Sequence, residues 1–420
     1  MNRKWLVFVA VSVMFFFITG TTFKSLGVVL YTMAEELNWS QTQAGQSFSI
    51  LGMSCCLSSL IPMVLVNRLG VQWTYFIGAT LLGSGFLLAY SVTSLPPFLL
   101  ATGLMGMGFS MCANIPGVYL LARWFPERPG RIIGLYLMFG AFGGVVGPPL
   151  LQWIISATSW RELWFLQSLM VALLGIGCLF LIRDRKLAET AAQADDRAAV
   201  ETGWTQAKAI RTPQFFLAAA AMVVLQCCVT VVQSSAVTHV VNLGHTPLFG
   251  AWLLGLQALT ASMGKGASGI IGEWVSSRLL LAVGLILESI GMILLAFTST
   301  PFIGYAFFLT FGIGWGAGYL AITVLLIEYF GPRVGSSALS FVWLLTAFAT
   351  VGPAVAGMIA DRFGSFTPAY LIGAGMLVPI AVLTLISRAP KLKTTDTDRT
   401  SEPQKAEALV AQPRLADEAP

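Results

Sequence analysis

The sequence predicts an all-α membrane protein of twelve transmembrane helices, arranged as two pseudo-symmetric six-helix bundles. Three observations carry this. Charged residues make up only 10% of the 420 and hydrophobic ones 56%, with a mean hydropathy of +0.79, whereas a soluble domain carries about 25% charged residues. Apolar windows of ~20 residues, each long enough to cross the hydrocarbon core, recur twelve times. Landmarks of the first six windows reappear in the second six at a nearly constant spacing.

In order, the windows cover 5–31, 42–66, 73–93, 97–124, 131–156, 163–182, 214–241, 247–272, 279–299, 302–328, 335–360 and 367–387. The first follows Arg3-Lys4 and imitates a secretory signal. Its apolar run continues to about Tyr31 without a small-residue cleavage site, so it is read as a span. A polar segment, Arg183 to Arg211, separates six from six, and a polar tail follows Arg388. The expected organisation is an N-terminal bundle over 1–182, a cytoplasmic linker over 183–213, a C-terminal bundle over 214–388 and a disordered cytoplasmic tail over 389–420.

The repeat is specific. Arg123-Trp124-Phe125 aligns with Glu328-Tyr329-Phe330 at an offset of 205, Gly130 with Gly335, and Val146-Gly147-Pro148 with Val351-Gly352-Pro353 at the same offset. Gly106-Met107-Gly108 meets Gly312-Ile313-Gly314 at 206. Two related six-span halves place a substrate site near the midplane between them.

Lysine and arginine counting orients the chain. With the N-terminus inside, seventeen fall on one side, among them Arg68, Arg123, Arg211, Arg278 and Arg333, against only Arg161 and Arg362 on the other. The positive-inside rule then puts both termini in the cytoplasm. The same placement disposes of nucleic acid as a partner despite the net charge of +5, because the basic residues sit at span ends rather than in a patch. The six cysteines lie inside apolar runs without metal-ligand spacing and read as packing residues. No catalytic dyad, metal cluster or nucleotide-binding loop is recognisable, so neither an enzyme nor a cofactor is expected.

Lys265 is the anomaly. It stands in Thr260-Ala261-Ser262-Met263-Gly264-Lys265-Gly266-Ala267-Ser268-Gly269, far from either end of its apolar run. A mid-bilayer lysine costs roughly 2.5–3.5 kcal/mol on insertion scales, so it should face a cavity or a partner. One reading is that its ammonium pairs with a substrate carboxylate; the other is a structural ion pair, for instance with Glu288. Small residues one turn either side, Ala261 and Gly269, leave room for a ligand.

Further candidates are polar residues inside spans. Asn114 and its repeat mate Tyr319 form a pseudo-symmetric pair able to hydrogen-bond a ligand, or equally a neighbouring helix. Gln257, two turns before Lys265, completes the candidate substrate-binding set, with Tyr136 and Trp343 as weaker members. Glu288 is a possible proton site, or a carboxyl buried as a hydrogen-bond donor. Arg123 and Glu328, opposite charges at repeat-related positions, suggest a gate at the cytoplasmic mouth, or two solvated helix ends. Glycines at four-residue spacing, Gly140, Gly143, Gly144 and Gly147 in span five and Gly312, Gly314, Gly316 and Gly318 in span ten, permit close helix contact, by default plain helix packing and otherwise contact between the two moving bundles.

Several stretches resemble the major facilitator superfamily, closest to its monocarboxylate-porter and oxalate/formate-antiporter branch. Phe23-Lys24-Ser25, leading through Val28-Val29-Leu30-Tyr31 to Glu35-Glu36, resembles the first-span lysine motif of monocarboxylate transporters. Arg123 through Gly134, running on to Gly143-Gly144 and Gly147-Pro148, is similar to their junction of spans four and five. Trp204 through Phe216 looks like the helix entering span seven, and Lys265 falls where the family usually has an arginine. The sequence departs where animal members carry an acid one turn earlier, here Ala261, and Val66-Asn67-Arg68-Leu69-Gly70 keeps only a remnant of the superfamily's loop motif.

The resemblance implies the major facilitator fold and a secondary transporter that moves a small organic anion, a mono- or dicarboxylate, by alternating access. Proton symport or anion exchange would drive it; the alternative is a transporter of a larger amphipathic solute such as a drug or siderophore. By resemblance Lys24 would attract the anion, against a lysine that merely snorkels to the outer headgroups. The expected partners are the anionic solute, protons and the lipid bilayer, and the expected state is a monomer in a bacterial inner membrane.

Overall fold

The computed structural model describes residues 3–127, 129–182 and 204–390. Most of the expected linker and tail, 183–203 and 391–420, lies outside the described residues. Among the described residues, eleven helices are long and apolar enough to cross a membrane: Arg3–Leu37, Gln41–Leu69, Val71–Tyr90, Leu95–Trp124, Arg131–Ala157, Trp160–Leu181, Pro213–Asn242, Ser277–Ala296, Pro301–Phe330, Ser337–Phe363 and Thr367–Ile386. The twelfth, Pro247–Ile271, is span eight, which holds Lys265. Its 25 residues reach about 38 Å at 1.5 Å per residue, ample for a bilayer. Gln257, Thr260, Ser262 and Lys265 dilute its apolar character, yet it packs among the other spans.

Four spans are interrupted, each for an identifiable reason. Span one breaks at 22–25 between the helices Arg3–Thr21 and Leu26–Leu37, where the Ser25 hydroxyl donates to the Gly20 carbonyl. Span four breaks after Cys112 and resumes at Asn114. Pro116 lacks an N–H and its ring clashes with the carbonyl four residues back, which is that of Cys112. The Tyr136 hydroxyl donates to the Ala113 carbonyl at 3.1 Å and satisfies a group the break releases. Spans two and eleven pass through 3₁₀ turns, Ser58–Leu60 and Thr346–Val351, each followed closely by a proline, Pro62 or Pro353. Span ten, the repeat mate of span four, runs unbroken over Pro301–Phe330 because it has no proline at the matching place.

Span one also runs further than its apolar window, to Leu37 rather than 31. The Tyr31 hydroxyl donates to Glu35 at 2.8 Å, and Glu36 accepts from the Trp160 indole at 2.5 Å and from Arg161. These polar contacts let the last turns leave the apolar run without unwinding. Lys24 lies beside the break in this span, its stem against Gly144 of span five.

The glycine stripes pack mainly inside each bundle, in keeping with the packing reading rather than with contact between the moving halves. A Cβ on Gly143 would stand 2.0 Å from the Phe16 carbonyl oxygen and one on Gly147 2.3 Å from that of Gly20, both in span one. A Cβ on Gly316 would meet the Ala261 carbonyl at 2.2 Å, and Gly314 faces span nine. Spans one and five, and eight and ten, cross so closely that only a hydrogen fits.

The halves meet through other glycines. Gly27 lies against the Gln233 carbonyl, Gly45 against that of Pro353, Gly357 against that of Gln41 and Gly255 against that of Val145, with a built Cβ at 2.0, 2.2, 2.2 and 2.5 Å. These crossings pair span one with seven, two with eleven and five with eight, all from mid-depth toward the face away from the chain ends. Two polar contacts reinforce them. The Asp361 carboxylate accepts from Gln41 N at 2.8 Å and from Thr42 N at 2.9 Å and hydroxyl at 2.5 Å, capping the start of span two. Ala354 N, just past the 3₁₀ turn of span eleven, donates to the Ser49 hydroxyl at 3.2 Å.

An anion on a helix N-terminus contributes roughly 1 kcal/mol, so Asp361→Asn is expected to open this face about fivefold more often. A cysteine replacing buried Ser49, in a background without the native cysteines, reads that as faster thiol labelling. Unchanged labelling would show that Asp361 does not hold the halves together.

A lysine pair over one indole

The break in span one and the small-residue run in span eight bring two cations to one ring. Lys24 Nζ lies 5.6 Å from the centroid of Trp315, and Lys265 Nζ lies 4.3 Å from the same ring and 4.1 Å from that of Tyr319. Trp315 and Tyr319 are one turn apart on span ten, with centroids 5.5 Å apart, and Trp343 continues the row at 5.6 Å from Tyr319. The Lys24 stem passes Gly144 of span five, where a Cβ would be 3.1 Å from its Cγ and 3.5 Å from Ala258 Cβ. Spans one and five of the N-terminal half thus converge with eight and ten of the other.

The ring is fixed from behind. Trp315 Nε1 donates to Gln226 Oε1 of span seven at 3.0 Å. A cation over an indole gains about 0.5–2 kcal/mol, more when desolvated. Against this, two ammoniums within 10 Å of each other repel by about 1.7 kcal/mol or more at an effective dielectric of 20. The indole therefore offsets part of the repulsion without neutralising either charge. What the arrangement can do chemically is receive negative charge.

No carboxylate supplies it among the described residues. The ion pairs of Lys4 with Glu127 and of Arg161 with Glu36 stand at span ends. The alternative pairing of Lys265 with Glu288 does not form. Glu288 is fully buried in span nine, its backbone N 2.5 Å from a Cβ built on Gly314, and neither side-chain oxygen has a hydrogen-bond partner.

The other candidates scatter. Tyr319 joins the lysine pair. Gln257 is fully buried with both amide atoms unpartnered, and its carbonyl meets the face of Gly312. Asn114 opens the second segment of span four, but its side chain lies outside the described residues. Arg123 stacks on Tyr119 of its own helix at 4.3 Å, while Glu328 accepts from the Ser277 hydroxyl at 2.7 Å. Tyr136 is fully buried, stacked on Phe15 at 4.7 Å, and serves the span-four break.

Trp315 and Gln226 are the members that sequence reasoning missed. A signal existed for each. Trp315 precedes Tyr319 by four residues and shares its helix face, and Gln226 is an amide set mid-way along a thirty-residue apolar helix.

Glu288→Gln is expected to keep the detergent melting temperature within roughly 2 °C, because the amide replaces a carboxyl that holds no ion partner. Glu288→Lys should lower it sharply. A large loss with Gln would reveal a charge partner.

Known proteins bear on this geometry. A profile of the Major Facilitator Superfamily matches residues 12–350. Monocarboxylate transporter 13 of Rattus norvegicus is 26% identical over 331 residues, covering 76% of this chain and 74% of that protein. Monocarboxylate transporter 12 of Homo sapiens is 26% identical over 392 residues, covering 85% and 76%. Among solved structures, a bacterial homolog of the human lysosomal transporter Spinster, in an inward-facing and occupied conformation, matches with a TM-score of 0.72 over 92% of this chain and 95% of that one. Its 14% identity speaks for the fold alone. Twelve spans in two related bundles and a profile match across most of the membrane domain agree: the chain is a transporter that belongs to the major facilitator superfamily, close to its monocarboxylate-porter branch.

Proposed function

We propose that the protein is a secondary active transporter of a small organic anion, a mono- or dicarboxylate, working by alternating access with proton symport or anion exchange. One observation carries the reading: Lys24 and Lys265, from opposite halves, share the Trp315 ring with no carboxylate beside them among the described residues. A substrate carboxylate supplies the missing charge, and Tyr319 and Gln257 are its candidate hydrogen-bond partners. The monocarboxylate-transporter relatives support the same class.

With both termini cytoplasmic, the closed far side is the outer face, and the arrangement corresponds to an inward-open carrier. Arg123 and Glu328 are the candidate gate at the cytoplasmic mouth, where rocking brings spans four and ten together. Glu288, buried and without donor or counter-charge, is the candidate proton site.

Removing one member of a buried charge pair costs 2–5 kcal/mol, so Lys265→Gln should cut carboxylate uptake into proteoliposomes on the order of 100-fold. Lys265→Arg should stay within about tenfold, since the charge survives while the point-like geometry changes. Labelled lactate, pyruvate, oxalate and formate serve as probes. If none is carried, or if the Gln variant transports normally, the anion assignment fails.

For the mouth, charge reversal at Arg123 or Glu328 should shift the carrier toward inward-open by a few-fold, and swapping both should partly restore it. Cysteine accessibility on the cytoplasmic side reads the shift. Identical accessibility in all three variants removes the gate.

A further inference from the structure

We infer that Gln226 is a positioning residue of the anion site, acting through Trp315 on both lysines. The inference rests on the anion reading above. Gln226 holds the indole N–H at 3.0 Å, and this is the polar tether that fixes the plane of the ring. An indole with a single N–H donor is free to rotate about its side-chain bonds unless that donor is engaged. The ring so held is the one over which Lys265 sits at 4.3 Å and Lys24 at 5.6 Å. Turning the ring would carry both ammoniums off its face, because a cation is attracted by the face and repelled by the edge.

The tether is itself anchored. One turn on, the Thr230 hydroxyl donates to the Gln226 carbonyl at 3.0 Å and lies 3.4 Å from the Ala349 carbonyl in the 3₁₀ turn of span eleven. A Cβ on Gly352, at the end of that turn, would stand 2.5 Å from Cys227 Sγ. The part of span seven that aims Trp315 thus rests on the bend of span eleven, on the seam between the halves. Gln226 determines how tightly the anion is held.

A double-mutant cycle tests this with labelled lactate, pyruvate, oxalate and formate as probes. Gln226→Met keeps length and removes the acceptor; Trp315→Phe keeps a ring and removes the donor. Each alone should raise KM about fivefold to tenfold with maximal rate within twofold, since the site is misaligned rather than dismantled. The double variant should be no worse than the worse single one, because both break the same hydrogen bond.

Lys265→Gln runs alongside. If the two losses multiply, or fall on maximal rate and melting temperature instead of KM, while Lys265→Gln remains inactive, the positioning role is overturned and the anion site stands. If Lys265→Gln transports normally or no probe is carried, the anion reading falls and takes this inference with it.

Discussion

Two positive charges inside a hydrocarbon slab impose the constraint to which the rest of the structure answers. Lys24 and Lys265 both stand inside apolar runs, and among the described residues neither has an acid. Each alone would cost several kcal/mol in lipid. Placed on the seam between the halves, both face protein, an aromatic surface and the solvent path rather than acyl chains. The small residues around Lys265 and the break beside Lys24 give the ammoniums their room. The Trp315 ring gives them a shared surface that attracts both without cancelling either.

The seam itself is built from backbone. Where the halves touch, glycine presses against a carbonyl in four places, and a carboxylate and a hydroxyl take backbone N–H groups. Such contacts tolerate separation and return, because they bury little interlocking side chain. Inside each bundle the glycine stripes of spans five and ten give equally close crossings, locked by the large side chains around them. The division between rigid bodies and moving surface follows from which glycines face which way.

Much of the fold was legible because its signals are one-dimensional. Apolar length marks a span, and a 205-residue offset marks the repeat. Span ends were displaced where polar side chains capped the helix, as Glu36 does at Trp160 and Arg161. The site was half legible. Lys265 and Lys24 stood out as charges in apolar runs, and Tyr319 through the repeat. Trp315 and Gln226 did not, because an aromatic in a membrane helix ordinarily packs, and only three-dimensional placement shows two cations over one ring. The glycine stripes left two readings open for a related reason. Four-residue spacing says that a helix is approached closely, not by which neighbour.

The modest hydropathy of span eight bears on how the chain enters the membrane during synthesis. A segment carrying Gln257, Thr260, Ser262 and Lys265 gains little by partitioning into lipid alone. Spans seven and nine flank it with long apolar stretches at a mean hydropathy of 2.5 each. Span eight accordingly enters lipid as the passenger of its neighbours, its polar face covered by spans five and ten as they assemble. The residue that makes the site chemically useful thereby makes biogenesis of the second bundle a collective event.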